Sequence, residues 1–244
     1  MFDKWRKYSY TAQKERRHLI LKFLFWVFLI FTTYSIVSSA LFFTIRMEGD
    51  SMEPNIENGD RLFASPFPYG ARFFLLPARL PAPDHPKRGD IVVTRRVSPE
   101  SGAFNSLYDA VLRFFTGQHI GNNAILSSRF SVKRVIGLPG DELFMEEFIM
   151  RIRAKGDAYS LTEFELATDS YNIISPTIPK GWDSSLPFSG SMPTIRLADD
   201  EYYLLSDDRT GASDSRTWGA VQLDDIIAKV SIRYWPLNRF GSPK

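Results

Sequence analysis

An uncharged stretch of 23 residues, from Phe23 to Ile45, constrains this chain more than any other feature. As an α-helix it would be about 35 Å long, enough to cross a hydrocarbon core of about 30 Å. We therefore predict a transmembrane anchor over residues 23–45. A cleavable signal peptide is the rival interpretation, because Ser38 and Ala40 form a small-x-small pattern. However, apolar residues continue through Leu41–Phe43, beyond the usual core of about 7–15 residues in such peptides.

Charge is distributed unevenly on the two sides of this stretch. Residues 1–22 carry seven basic and two acidic side chains, whereas the rest of the chain carries 23 basic and 26 acidic ones. The positive-inside rule then predicts a cytoplasmic tail over 1–22 and an extracytoplasmic domain over 46–244. Because that domain is mildly acidic, we expect no nucleic-acid partner.

Short strand-like runs separated by turn residues dominate the part after the anchor. They are Arg61–Ala64, Ile91–Thr94, Ser131–Ile136, Phe148–Ile152, Thr194–Leu197, Tyr202–Leu205 and Ile226–Ile232. Their spacing predicts a mainly β fold with an antiparallel sheet. Residues at about 142–200 are expected to form an insertion, irregular over 154–193 because Gly, Pro, Ser and Thr occur there without a clear period.

Two other segments differ from the strand pattern. The apolar residues of 107–115 recur with helical spacing, which predicts a short helix after Asn105 or Ser106. Residues 63–81 are rich in aromatic residues and proline. These rings either fill the core or form an apolar lip that enters the bilayer, since aromatic residues favour the membrane interface.

Several kinds of chemistry are excluded by residue types. The chain has no cysteine, which rules out disulfides, thiolate metal sites and a cysteine nucleophile. Its three histidines lack zinc spacing, and neither an H-E-x-x-H nor a G-x-S-x-G motif is present. There is no glycine-rich phosphate loop, so we expect no metal and no cofactor.

Three motifs after the uncharged stretch carry candidate chemistry. The first is Gly-Asp-Ser-Met-Glu-Pro at 49–54, and the second is Lys-Arg-Val-Ile-Gly-Leu-Pro-Gly-Asp at 133–141. The third is Ser-Asp-Asp-Arg at 206–209, followed by Ser-Asp-Ser-Arg-Thr-Trp-Gly at 213–219. With these motifs the chain resembles the bacterial type I signal peptidases, which remove signal peptides from exported proteins with a serine–lysine dyad. Four blocks, 47–60, 87–93, 131–141 and 201–219, match in the order of that family.

The resemblance implies a role for individual residues. Ser51 matches the nucleophile and Lys133 the general base, and the Ser51 backbone N–H would contribute to the oxyanion hole. The charged residues expected to brace the site are Arg134, Asp207, Arg209, Asp214 and Arg216. The resemblance further implies a bacterial plasma (inner) membrane enzyme whose partners are preproteins and the lipid bilayer. We expect it to be monomeric.

A serine hydroxyl needs an adjacent base, and lysine can act as that base only when it is neutral. At a pKa near 10.4, about one lysine in a thousand is neutral at pH 7.4. Burial can lower a lysine pKa by roughly 3–5 units. Lys133 lies between Val132 and the apolar pair Val135 and Ile136, which fits such a site. Because side chains alternate along a strand, Arg134 would face the other way and could pair with Asp207.

Substrate would bind as an extended peptide added to a strand edge. By resemblance, Met47 and Val132 would line shallow apolar pockets for small residues at the first and third positions before the cut. Ser51 lies six residues beyond Ile45, which confines it to about 20 Å from the predicted anchor. Catalyst and membrane-held substrate would therefore share one plane.

The chain departs from the family pattern at a few positions. Gly49 stands where some members carry a serine that joins the oxyanion hole, and Asn55 replaces a usual threonine. Ala212 falls where many members place a serine that hydrogen-bonds the lysine, although Ser213 is adjacent. Two alternatives stay open: a Ser-Lys peptidase with another specialised substrate, and an inactive membrane-anchored β module.

Overall fold

The computed structural model describes residues 2–40, 42–70, 81–95, 130–177, 190–211 and 213–243. The fold of this part is mainly β, as predicted, and its strands pair antiparallel in two sheets. The strands are β1 Phe43–Arg46, β2 Arg61–Ser65, β3 Ile91–Arg95, β4 Phe130–Gly137, β5 Glu142–Glu146, β6 Ile149–Arg153, β7 Leu161–Thr162, β8 Met192–Arg196, β9 Glu201–Leu205, β10 Val221–Gln222 and β11 Ile226–Trp235. The helices are α1 Phe2–Ala40, α2 Glu163–Leu166 and α3 Ser215–Trp218.

The larger sheet contains seven strands in the order β1-β2-β11-β3-β4-β9-β10, and the smaller one contains four in the order β7-β6-β5-β8. In the larger sheet β4 lies between β3 and β9, so it is hydrogen-bonded on both sides. The chain passes from β4 into β5 through the turn at 138–141 and so enters the smaller sheet. This turn, which is the end of the second motif of the sequence, therefore lies between the two sheets.

Helix α1 is long and apolar enough over Lys14–Tyr34 to cross a membrane. The predicted anchor reached residue 45, but the helix ends at Ala40 and Phe43–Arg46 form β1 instead. Phe43 and Ile45 are apolar like the residues of the anchor, but they pack against the core of the larger sheet. The segment between the end of the helix and Ser51 is therefore eleven residues rather than six.

All seven predicted strand runs overlap observed strands, whereas β1, β5, β7 and β10 were not predicted. The prediction that 154–193 is irregular is wrong in part, because β7, α2 and the start of β8 lie there and complete the smaller sheet. The helix predicted over 107–115 lies outside the described residues. Of the aromatic segment 63–81, the described part is mixed, since Tyr69 is fully buried and Phe67 is exposed.

Three apolar clusters form the core. One joins β1, β2, β3, β4 and β11 and contains Met47, Met52 and Val132. A second fills the space between the two sheets, with Ile136, Leu143 and Tyr203 among its members. The third contains Val92, Val135 and Leu204. All three clusters include a residue of β4, which makes this strand the centre of the fold.

Candidate active site

Ser51 lies in the loop 47–60, which connects β1 to β2 and is called the nucleophile loop after the role predicted for Ser51. The Met47 N–H donates to the Asp60 carbonyl at 2.7 Å and closes the base of the loop. Met52, the residue after Ser51, is fully buried in the core. Ser51 itself is partly exposed. The predicted nucleophile therefore lies on a loop whose ends are fixed by packing and hydrogen bonding, which is what a reactive residue would require.

Lys133 lies in the middle of β4 and is only 1% exposed. Val92 lies opposite it on β3 and belongs to the apolar cluster that contains Val135 and Leu204. A strand lysine is usually solvated, so this burial is the exception that a lysine base requires, because an apolar environment favours the uncharged amine.

Arg134, the next residue, is buried in a different way. Its Nε and one terminal nitrogen donate to the two carboxylate oxygens of Asp207, each at 2.7 Å. The other terminal nitrogen donates to the Gly89 carbonyl at 2.9 Å, and the guanidinium lies over the Tyr171 ring at 4.0 Å from its centroid. The predicted pairing of Arg134 with Asp207 is confirmed.

The nucleophile loop and β4 are connected through residues 207 and 208. The Asp208 N–H donates to the Ser51 carbonyl at 3.1 Å. The side-chain amide of Asn55 donates to Asp207 at 2.8 Å, on the carboxylate that binds Arg134. Short hydrogen bonds therefore run from the residue beside Lys133 to the loop that carries Ser51.

The Leu-Pro-Gly-Asp sequence at 138–141 forms the turn between the two sheets. The Asp141 carboxylate accepts from the Leu138 N–H at 2.7 Å and binds the guanidinium of Arg88 with both oxygens. Gly140 has φ of 85°, a conformation that glycine adopts without strain. The ion pair of Arg88 with Asp141 thus adds to the pairing of β3 with β4 and fixes the end of β4.

A buried ion pair links the last motif to the smaller sheet. Arg209 donates to Glu163 of α2 at 2.6 Å, and both side chains are almost fully buried. The same carboxylate accepts from the Tyr171 hydroxyl at 2.7 Å and from the Met150 N–H at 2.9 Å. Burial, together with the negative charge and hydrogen bond of Glu163, raises the pKa of Tyr171. The Tyr171 hydroxyl therefore stays protonated and donates to Glu163.

Asp214 and Arg216 form a second bidentate pair, at 2.8 and 2.7 Å, beside the end of β9. Asp214 also accepts from the Ser206 N–H at 3.1 Å. Burial alone would raise the pKa of Asp214, but the hydrogen bonds and charge of Arg216 outweigh it and hold that pKa below its usual value. Arg216 in turn donates to the Arg209 carbonyl, so the loop 206–216 is cross-linked within itself.

The family model described as "Signal peptidase, peptidase S26" matches residues 19–235. The chain belongs to this signal peptidase family. Its match begins within α1 and extends through both sheets to the last residue of β11. The helix, the nucleophile loop and the buried ion pairs are therefore parts of one signal peptidase chain rather than of separate modules.

Two curated relatives give the same family. The chain is 25% identical over 194 residues to a probable signal peptidase I-2 of Synechocystis, covering 78% of this chain and 62% of that protein. It is 31% identical over 110 residues to signal peptidase IB of Staphylococcus aureus, covering 45% of this chain and 55% of that protein. The aligned part thus spans less than two thirds of either relative.

Most of the residues predicted for the site are connected to one another in the structure. Arg134, Asp207, Arg209, Asp214 and Arg216 all lie in one connected network. Met47 and Val132 lie in the same apolar cluster, and both are buried. Ser213 is exposed, and Ala212 lies outside the described residues. Among the residues that the structure describes, no group of three or more histidine and acidic side chains could hold a metal ion.

Sequence reasoning missed other members of the network. Arg88, Glu163 and Tyr171 were not singled out, and Asn55 was noted only as a departure from the family pattern. Glu163 could have been found, because Thr162 and Glu165 flank it with the spacing of a helix-capping box. The structure contains that box, with Thr162 and Glu165 exchanging hydrogen bonds at the start of α2. Arg88 and Tyr171 carry no comparable local signal.

Proposed function

We propose that this chain is a membrane-anchored serine endopeptidase that removes signal peptides from exported preproteins, with Ser51 as nucleophile and Lys133 as general base. The observation that carries the proposal is the burial of Lys133 in β4, next to an arginine that is linked through Asp207 to the nucleophile loop. Membership in the signal peptidase family supports the same assignment.

The proposed reaction begins with neutral Lys133. Its Nζ accepts the proton of the Ser51 hydroxyl while Oγ attacks the carbonyl carbon of the scissile peptide bond. The negative charge that develops on the carbonyl oxygen would be stabilised by the Ser51 backbone N–H. The C–N bond then breaks, and the protonated Lys133 donates a proton to the leaving amine. Water, deprotonated by Lys133, finally hydrolyses the ester on Ser51 and restores both residues.

Burial is what makes lysine suitable for this role. A lysine ammonium in water gives up its proton too rarely at neutral pH, since only about one in a thousand is neutral at pH 7.4. An environment that raises the neutral fraction to about one half corresponds to roughly 4 kcal/mol against the charged form. The apolar residues around this part of β4, among them Val92, Val135 and Leu204, support such an environment.

The proposed location follows from α1. Residues 14–34 would cross the membrane, the basic segment at the N-terminus would stay in the cytoplasm, and both sheets would lie on the outer side. Helix α1 continues for six residues beyond Tyr34, about 9 Å, and the eleven residues from Ala40 to Ser51 reach at most about 40 Å, so Ser51 is tethered within about 50 Å of the bilayer surface. A precursor held by its own apolar signal helix would present its cleavage site in the same layer. The preferred precursors would carry small residues at the first and third positions before the cut.

The test is cleavage of a precursor with an Ala-x-Ala site by the full chain in liposomes. We expect Ser51→Ala to reduce the rate to background. Lys133→Ala should lower it by about 10²–10⁴-fold, the usual range for a general base. Matched controls are Ser170→Ala and Lys155→Ala, because both residues are exposed and belong to the smaller-sheet region.

The outcomes separate the possibilities. Undiminished cleavage by Ser51→Ala or Lys133→Ala would refute the dyad. Absence of cleavage by the wild-type chain, under conditions in which a known signal peptidase cuts the same precursor, would favour the inactive-module alternative.

A further inference from the structure

Asn55 makes three hydrogen bonds through its side chain, on the nucleophile loop four residues after Ser51. Its Nδ2 donates to Asp207 at 2.8 Å and to the Asn172 carbonyl at 2.7 Å. Its Oδ1 accepts from the Asn172 N–H at 3.4 Å. Two oxygen acceptors face the nitrogen and one N–H faces the oxygen, so the network requires an amide in this orientation.

The partners of Asn55 belong to two different parts of the molecule. Asp207 is the carboxylate that binds Arg134, the neighbour of Lys133. Asn172 follows Tyr171, whose ring contacts the same Arg134 and whose hydroxyl donates to Glu163 of α2. Asn55 therefore joins the nucleophile loop to the larger sheet and to the inserted smaller sheet at one point.

The spacing of these contacts explains why the connection would matter for Ser51. Asn55 is four residues beyond Ser51, on the same loop, and its own backbone carbonyl accepts from Arg233 of β11 at 2.8 Å. On the other side of Ser51, Met47 is held by Asp60. The loop around Ser51 is thus fixed on both sides. On the side of Asn55 it is also connected, through Asp207 and Arg134, to the strand that carries Lys133.

We propose that Asn55 is a positioning residue, which sets the place of Ser51 relative to Lys133 by bridging Asp207 and the backbone of residue 172. This inference rests on the proposed function, because it concerns the same dyad. Asn55 acts through its neighbours and touches neither reacting atom. A shift of about 1 Å between reacting groups can cost about 10²-fold in rate, so loss of the bridge should appear in the chemical step.

The decisive variant is Asn55→Asp, which keeps the shape but replaces the donating NH₂ by an oxygen beside the Asp207 carboxylate. We expect kcat to fall roughly 10–100-fold while KM changes less than about twofold, since positioning acts on the transition state rather than on substrate binding. Asn55→Thr should be intermediate, because one hydroxyl can donate to Asp207 or to residue 172 but not to both.

Asn172→Ala is the matched control. Asn55 contacts only the backbone N–H and carbonyl of residue 172, and the Asn172 side chain is exposed, so this variant keeps every contact and should behave as wild type. Melting temperatures of all variants are measured first, and kinetics are run at least about 15 °C below the lowest one. An unchanged kcat in Asn55→Asp, or a raised KM with unchanged kcat, would overturn the proposal.

Hydrogen exchange distinguishes failure of this inference from failure of the proposed function. The Asp208 amide donates to the Ser51 carbonyl, so Asn55→Asp should speed exchange in peptides containing Asp208 and in those of the nucleophile loop. Asn172→Ala should leave both unchanged. If the wild-type chain cuts no precursor, faster exchange in Asn55→Asp still supports the positioning role, and equal exchange refutes it.

Discussion

The buried pair of Glu163 and Arg209 gives a sharp test of what holds the inserted smaller sheet to the rest of the domain. Both side chains are at most 1% exposed, and the bond between them is 2.6 Å long. Replacing Glu163 by Gln keeps the volume and the acceptor for the Met150 N–H, but it leaves the Arg209 charge without its counter-ion. Breaking a buried pair from one side typically costs about 3–5 kcal/mol.

That cost is a large part of a typical total stability of about 5–15 kcal/mol. For a chain of this size each kcal/mol lowers the melting temperature by about 2–4 °C, so we expect Glu163→Gln to melt roughly 6–20 °C below wild type. The measurement is unfolding of the full chain in detergent, followed by circular dichroism and repeated in denaturant at constant temperature.

Glu165→Gln is the matched control, because Glu165 lies on the same helix and has the same chemistry but is exposed. Its carboxylate accepts from the Thr162 N–H, and glutamine also completes a capping box, so the change should stay within about 0.5 kcal/mol. A double variant, Glu163→Gln with Arg209→Met, removes both charges while keeping an acceptor for the Met150 N–H, and it should recover most of the loss. Equal melting of Glu163→Gln and Glu165→Gln, or no recovery in the double variant, would refute the reasoning.

Two further predictions concern β4 and the loop after β9. A Cβ at Gly137 would meet Leu143, Leu197 and Tyr203 at 2.6–2.9 Å, so Gly137→Ala should lower the free energy of unfolding by about 1–3 kcal/mol, measured in denaturant. A Cβ at Gly211 would meet nothing within 4 Å, so Gly211→Ala is the control and should leave stability unchanged. Equal effects of the two substitutions would contradict this account. Since the folded-state pKa of Asp214 is lowered, its stabilisation is present above the unfolded pKa of about 3.9 and is lost as pH falls through the folded pKa. The free energy of unfolding of Arg216→Gln should therefore lie furthest below that of wild type at neutral pH and approach it below about pH 4. A stability difference that stays constant from pH 7 to 2 would show that the charge of Arg216 is not the cause.

Five of the seven strands of the larger sheet could be predicted from sequence, because they are apolar and bounded by turn residues. The strand around Lys133 was placed within one residue at each end. The residue at which the anchor helix ends could not be predicted from sequence. Residues 42–45 are as apolar as the helix before them, and only pairing of Phe43–Arg46 with β2 turns them into a strand. Composition alone does not distinguish apolar residues that face lipid from those that face a protein core.

The hairpin between β5 and β6 shows a second limit of prediction from sequence, which is a turn built without the usual turn residues. Its turn is Glu147-Phe148, with φ of 50° and 65°, in a position that normally selects Gly, Asn or Asp. Phe148 is nevertheless held there because its ring is buried and its N–H donates to the Gly190 carbonyl at 2.9 Å. The sequence prediction put Phe148 at the start of a strand, since no turn residue marks the site. Here tertiary packing outweighs local preference.

The matching blocks of the family describe a scaffold more than they describe chemistry. Block 87–93 supplies Arg88 for Asp141 and the Gly89 carbonyl for Arg134, and block 201–219 supplies Asp207 for Arg134. Each of these contacts fixes β4 along its length. In the proposed reaction only Ser51 and Lys133 exchange protons or form bonds, so the blocks would be shared because a buried lysine has to be held in place from several sides.

The same separation of scaffold from chemistry would explain how a glycine at position 49, where the resemblance implies a serine in some members, leaves the fold intact. A Cβ at Gly49 would meet nothing within 4 Å, so there is space for a serine, but φ is 86°, a conformation that serine adopts only with strain. The loop therefore accommodates the glycine through its backbone conformation and not through packing. In the proposed mechanism, a second donor to the oxyanion would have to come from a backbone group or another side chain, which would change the rate of acyl transfer and leave the network around β4 intact.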